Sequence, residues 1–370
     1  MSEQNNMRRA NIRWKLMTTA SALALCVSFY GADRAVADTD RPTIWIDLGG
    51  QLEWEKVLGD PNAVPFASDL VADGFMSPLK AGRELGQSFG GEGAISYQPE
   101  DSNWIFSASM RYGRASGGTA THQQTPDAPK QLYIGTFPLT ALLAPPFARY
   151  SDMRVANSES HAILDFQAGR DLGLGLFGDG GQSEITAGVR IAQFHTKQSL
   201  GMHADPDAYL ATNLKYGTAH HTYSVNSLIE RSFHGLGPSL SWTASAPVAG
   251  SADENVTLEW GINAALLFGK QKVRGHHETN GQFYTSHRIQ KYRSTSPIHR
   301  SGNPDRSRTV TVPNIGGFAG VSYVFPNAKL SVGYRADFFF GAMDGGIDAA
   351  KKENVGFYGP FATVSVGLGG

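Results

Sequence analysis

A single cysteine, Cys26, occurs in 370 residues, so no disulfide framework can staple this chain. Long apolar runs are missing as well. No later window approaches the ~20 consecutive apolar residues of a spanning helix, which excludes a helical membrane protein. Charge is sparse: Lys, Arg, Asp and Glu make up 18% of the chain and nearly cancel, at a formal net charge of −1. Bulk electrostatics therefore gives no nucleic-acid partner. In excess are glycine, at 43 residues, and aromatics, at 11%. A chain so rich in aromatics is not a disordered one.

The N-terminus has the layout of a secretory signal peptide. Arg8, Arg9, Arg13 and Lys15 precede an apolar stretch from Leu16 to Tyr30, and Ala35-Val36-Ala37 supplies a small-residue cleavage site. Residues 1–37 are thus read as a leader and 38–370 as the mature chain. The mature chain has 27 basic and 31 acidic residues and no cysteine.

The rest of the chain alternates. In 183–197, Ile185, Ala187, Val189 and Ile191 share one face while Glu184, Thr186 and Arg190 share the other, as strand geometry requires of a two-faced surface. Such segments recur near 43–55, 86–97, 104–115, 160–172, 183–197, 220–246, 256–273, 309–325, 328–340 and 356–368. Short connections (98–103, 173–182, 247–254, 326–327) alternate with long ones (57–85, 116–159, 198–219, 274–308, 341–355). An even strand number with alternating short and long connections predicts an all-β fold: a transmembrane antiparallel β-barrel of about ten strands, with periplasmic turns and extracellular loops. Trp54, Tyr97, Trp104, Tyr112 and Tyr323 fall near strand ends, where interface girdles belong. In 220–246 the apolar set passes from Val225, Ile229 and Phe233 to Leu240 and Trp242, which predicts a bulge at Gly235–Pro238.

This parity defines an expected lumen. Asp47, Glu53, Glu92, Asp165, Glu184, Glu230, Glu259 and Asp337 point inward with Arg111, Arg190 and Arg335. Eight acids against three bases predict a small, weakly cation-preferring diffusion pore for small hydrophilic solutes or ions. The alternative is a closed scaffold whose charges pair across strands and whose loops work as an adhesin or surface-interaction device.

In the loop 274–308, Arg288, Lys291, Arg293, Arg300, Arg306 and Arg308 are candidates to meet lipopolysaccharide phosphates. The apolar segment 137–150 would rest in the barrel mouth or on its rim. His220-His221 and His276-His277 are adjacent and face opposite ways, so no metal or cofactor is expected. No G-x-S-x-G is present, and nothing in the spacing of His195, His220 or His276 selects a catalytic set, so no enzyme is expected. Expected partners are outer-membrane lipid and lipopolysaccharide, the barrel-assembly machinery, and in the pore reading a solute. An oligomer is compatible with the sequence, although no interface is readable.

VGYRADFFFGAMDGG at 332–346 and GFYGPFATVSVGLGG at 356–370 resemble the Legionella-type major outer membrane protein family. FHGLGPSLSW at 233–242, INAALLFGKQ at 262–271 and SHAILDFQAGRDLGLG at 160–175 fit the same pattern. The resemblance covers roughly 160–370 and implies a pore-forming role in a Gram-negative outer membrane. It carries no catalytic motif. The chain ends at Leu368-Gly369-Gly370, without the terminal aromatic that many barrels use as an assembly signal.

Overall fold

The computed structural model describes residues 43–58, 88–99, 102–123, 133–134, 137–138, 150–171, 182–205, 207–208, 216–251, 254–287, 293–347 and 349–368. Residues 1–37, read from the sequence as a leader, and the segment 139–149 lie outside the described residues.

Ten strands form the barrel: β1 (Thr43–Leu58), β2 (Ser88–Gln98), β3 (Trp104–Gln123), β4 (Tyr150–Asp171), β5 (Gln182–Asp205), β6 (Tyr216–Gly250), β7 (Asn255–His287), β8 (Asp305–Phe325), β9 (Ala328–Asp344) and β10 (Lys352–Leu368). Each pairs antiparallel with its neighbour in sequence, and β1 pairs with β10 from Ile44↔Leu368 to Leu58↔Asn354. The ten strands thereby close into a barrel with no free edge at membrane level, as a membrane barrel requires. The expected fold class, a transmembrane antiparallel β-barrel, is the one observed.

A belt of outward apolar side chains marks the membrane. On β7 it runs from Leu258 through Ile262 and Leu266 to Phe268. The matching stretches are about 162–170 on β4, 236–244 on β6, 315–325 on β8 and 330–340 on β9, close to the ~9–11 residues a tilted strand needs to cross, with a shorter one at 185–191 on β5.

The strands do not stop at the belt. β6 has 35 residues and β7 has 33, so the paired sheet stands well above the bilayer. The stretch 274–308, expected as a loop, is mostly sheet: Arg293–Gly302 pairs with β7 from His277↔Gly302 to Ser286↔Arg293. It keeps the register that β8 uses lower down, where Arg274 meets Asp305. The only break in strand assignment between them is Asn303-Pro304.

The expected bulge at Gly235–Pro238 is absent. β6 holds one register on β5 from Ala204↔Tyr223 to Gln182↔Ser245. The irregularities on its β7 side lie between Val256 and Thr257 and between Thr285 and His287. What changes along β6 is the polarity of its faces, not their parity. Above the belt Val225, Ile229 and Phe233 are fully buried inside the barrel, and within the belt Leu236 and Leu240 are exposed outside. An apolar residue faces lipid where there is lipid, and faces inward where the outside is water.

Candidate functional site: the barrel interior

The interior is layered. At the end with the tight turns, a polar cavity of about 880 Å³ is lined by Trp45, Asp47, Glu184, Thr243, Glu259 and Ser365, among others. Above it lies a belt of ion pairs. Arg190 Nε and Nη2 donate to Asp165 Oδ1 and Oδ2 at 2.7 and 3.0 Å, and Nη1 donates to Asn263 Oδ1 at 2.7 Å and to Asn314 Oδ1. Arg111 reaches across the lumen from β3 to Asp337 on β9 at 2.5 Å. Arg335 pairs with Glu92, which also accepts a bond of 2.7 Å from the Thr363 hydroxyl. The Arg335 guanidinium lies 4.7 Å from the Phe361 ring centroid, a favourable cation–π distance. Gly316 makes this packing feasible, because a Cβ there would collide with the Asp337 carboxylate and with Asn263 Nδ2.

Next comes a plug to which all ten strands contribute a buried side chain: Glu53, Ser88, Ala115, His161, Phe194, Phe233, Leu267, Val312, Phe339 and Phe357 in strand order, none more than 4% exposed. Its centre is aromatic. The Phe194 ring centroid is 4.7 Å from Phe339, 5.5 Å from Phe357 and 5.7 Å from Phe233, within the range of favourable ring pairs. His161 covers Phe357 at 3.9 Å. Its Nδ1 lies 3.0 Å from Glu159 and its Nε2 3.1 Å from Glu53, so both ring nitrogens face carboxylates and the ring is best satisfied as an imidazolium. Burial alone would lower its pKa, but the two carboxylates outweigh that and hold it up at about 9. Gly113 leaves the space for this group, since a Cβ there would collide with His161 and Glu53.

Above the plug the interior stays packed, with Leu200, Met202, Val225, Ile229 and Val273 each 5% exposed or less. The β9–β10 turn folds over this core. Arg306 Nη2 donates to the Gly346 carbonyl at 2.9 Å and approaches Asp344 at 3.4 Å, while Arg231 donates to the Gly345 carbonyl at 3.3 Å. Burial pushes the Glu353 carboxyl up, against the pull of Arg231 and Lys351.

The inferred lumen residues Asp47, Glu53, Glu92, Arg111, Asp165, Glu184, Arg190, Glu259, Arg335 and Asp337 line the cavity or are bonded inside the barrel. Glu230 does not. It is on the outer wall, 2.9 Å from Lys197, and both side chains are more than 40% exposed. It had been placed inside by the bulge that the strand lacks. The inward set also includes cations outside that expectation, among them Arg231, Lys329 and His161. Lys329 reaches Glu259 at 2.9 Å, and His161 sits between two glutamates. Arg111, Arg190 and Arg335 are each matched to a carboxylate inside the wall, which reduces the surplus of acids that argued for cation preference.

Of the proposed lipopolysaccharide contacts, Arg306 is instead bound to the β9–β10 turn, and Arg308 donates to Gln271 at 2.7 Å. Arg300 is exposed. Arg293 lies on the outer hairpin, where its side chain is outside the described set, and Arg288 and Lys291 lie outside the described residues altogether.

No protein-family model and no curated protein matches the chain. Similar solved structures exist. The outer membrane protease OmpT of Escherichia coli shares 12% identity at a TM-score of 0.40, covering 91% of this chain and 99% of that one. The translocator domain of the autotransporter NalP of Neisseria meningitidis shares 11% at 0.22, covering 98% and 97%. The toluene transporter TodX of Pseudomonas putida shares 11% at 0.16, covering 89% of each. The expectation that no enzyme is present is corrected here, because a protease stands among the similar barrels and missing hydrolase motifs do not exclude catalysis in such a fold. Likeness at this level assigns no activity to the chain.

Proposed function

We propose that the protein is an outer-membrane barrel shut at rest, acting through the water-facing sheet above the bilayer as a surface-interaction scaffold. The observation that supports this is the plug: ten strands each place a buried side chain in one layer, and four phenylalanines meet across the axis. A layer packed this way has no room for a chain of water. Insertion by the barrel-assembly machinery belongs to the same proposal.

The second reading is the small cation-preferring diffusion pore. It is favoured by the polar cavity with Asp47 and Glu184 on its wall and accords with the resemblance of 332–346 and 356–370 to a pore-forming family. Under that reading the plug is a gate, and hydrophilic solutes and an oligomeric assembly go with it. The readings separate in a planar bilayer. Refolded residues 38–370 under a KCl gradient should give no stable conductance steps from a heat-modifiable, β-rich preparation. Steady steps with a cation-biased reversal potential would replace the scaffold with the pore.

A further inference from the structure

On the outer wall, the alternation of β7 continues past the membrane belt with a change of chemistry. Ile262, Leu266 and Phe268 are exposed apolar residues. The next three outward positions are Lys270, Lys272 and Arg274, all exposed. Side chains two apart on one strand face stand about 7 Å from one another, so the lysines form a vertical pair directly above Phe268.

The neighbouring outward positions complete a patch. On the β6 side His234 pairs with Lys270 and Ser232 with Lys272. On the β8 side Thr309 and Ser307 take the same places. One strand further, Gln193 and His195 flank His234 and Ser232 on β5. These two rows contain hydroxyls, an amide, imidazoles and two ammonium groups, and no carboxylate.

Acids begin only in the third row, where they are already matched: Asp305 lies 3.5 Å from Arg274 and Glu230 lies 2.9 Å from Lys197. Lys270 and Lys272 have no ion-pair partner among the described residues. Two unmatched cations, ringed by donors and seated on an exposed apolar surface with Leu236 59% exposed beside them, call for a ligand with anionic groups above and acyl chains below.

We propose that Lys270 and Lys272, with His195, His234, Ser232, Ser307 and Thr309 around them, form a binding site for a phosphorylated glycolipid headgroup of the outer leaflet. The ammonium groups take phosphate oxygens by charge-assisted hydrogen bonds, the hydroxyls and amide serve the sugar, and the acyl chains lie along Leu236, Leu266 and Phe268. The site rests on the outer-membrane placement and is independent of whether the lumen conducts. It stands on the barrel wall at headgroup height, below the hairpin residues whose arginines were the first candidates for such a contact.

The test is a binding titration of the refolded mature barrel in detergent with bisphosphorylated lipid A, followed by native mass spectrometry. Lys270→Gln/Lys272→Gln should weaken binding by about tenfold or more, two cations being lost at the headgroup plane. Lys197→Gln/Arg274→Gln, which removes cations that already have partners, should change it far less. The wild-type protein should also prefer bisphosphorylated to monophosphorylated lipid A, a comparison that needs no variant to fold. Unchanged binding by the lysine variant in its heat-modifiable, folded form would overturn the site, as would an equal loss in the control pair. Inorganic pyrophosphate displacing lipid A at equal concentration would assign the patch to free anions and overturn the lipid.

Discussion

Arg190→Met is expected to lower the unfolding free energy of the barrel by about 3–5 kcal/mol, the usual consequence of removing one partner from a buried, hydrogen-bonded ion pair. The size follows from what is left behind. Asp165 loses both of its bonds to the guanidinium, and the side-chain carbonyls of Asn263 and Asn314 lose their shared donor. Arg190 is 2% exposed and Asp165 is 7%, so water from the cavity that both residues border replaces the lost bonds only in part. The control is the pair of substitutions Arg190→Met with Asp165→Leu. With both charges gone, much of the loss should return, because an apolar pair of similar volume costs less than a lone buried carboxylate. Urea titration of the barrel in lipid vesicles checks both. A single variant within about 1 kcal/mol of wild type, the range of an exposed ion pair, would mean that the belt is hydrated and that its geometry does not describe the folded barrel.

The same belt shows what alternation could and could not reveal. Parity places Asp165, Arg190, Arg335 and Asp337 on the inside correctly, because successive strand residues face opposite ways whatever the surroundings. It does not say how high each sits on the wall or which side chain lies across the lumen, since that depends on strand tilt and stagger. Arg111 and Asp337 are 226 positions apart, and no local pattern links them. His161 shares the parity of Asp165, and Lys329 that of Arg335, so both were legible as inward cations.

Glu230 failed for a different reason. Above the membrane the relation between polarity and side reverses, so an apolar residue there marks the inside. Phe194, Phe339 and Phe357 share the parity of Arg190, Asp337 and Phe361 and were open to the same reading. Their convergence was not, because meeting at one level from three separate strands is a property of the closed barrel. Phe233 was hidden by the assumed bulge. The ten strands survived these errors because strand number depends on where alternation starts and stops, and turn residues punctuate it sharply.

Phe339→Ala/Phe357→Ala is expected to open the plug. Both rings contact Phe194, at 4.7 and 5.5 Å, and each other at 6.3 Å, so their loss removes one side of the aromatic cluster together with the stacking surface of His161. Each Phe→Ala change in a packed core costs about 3–5 kcal/mol. The barrel should absorb part of that because its strand ladder closes on itself and does not depend on the rings.

Residues 38–370 contain no cysteine, which makes the readout clean in a protein refolded from them. Ser109 lines the polar cavity below the plug, and a Ser109→Cys background reports whether a membrane-impermeant thiol reagent added from the extracellular side reaches that cavity. With the rings in place labelling should stay at background. With both removed it should go to completion, and bilayers should show conductance steps absent from the parent. Phe268→Ala serves as the control, since that ring is 52% exposed on the outer wall and its loss leaves the interior untouched. A folded, heat-modifiable double variant that stayed unlabelled would place the seal elsewhere, in the ion-pair belt below the rings or the β9–β10 turn above them. Labelling of the parent at the rate of the variant would remove the plug as a barrier and with it the case for a shut barrel.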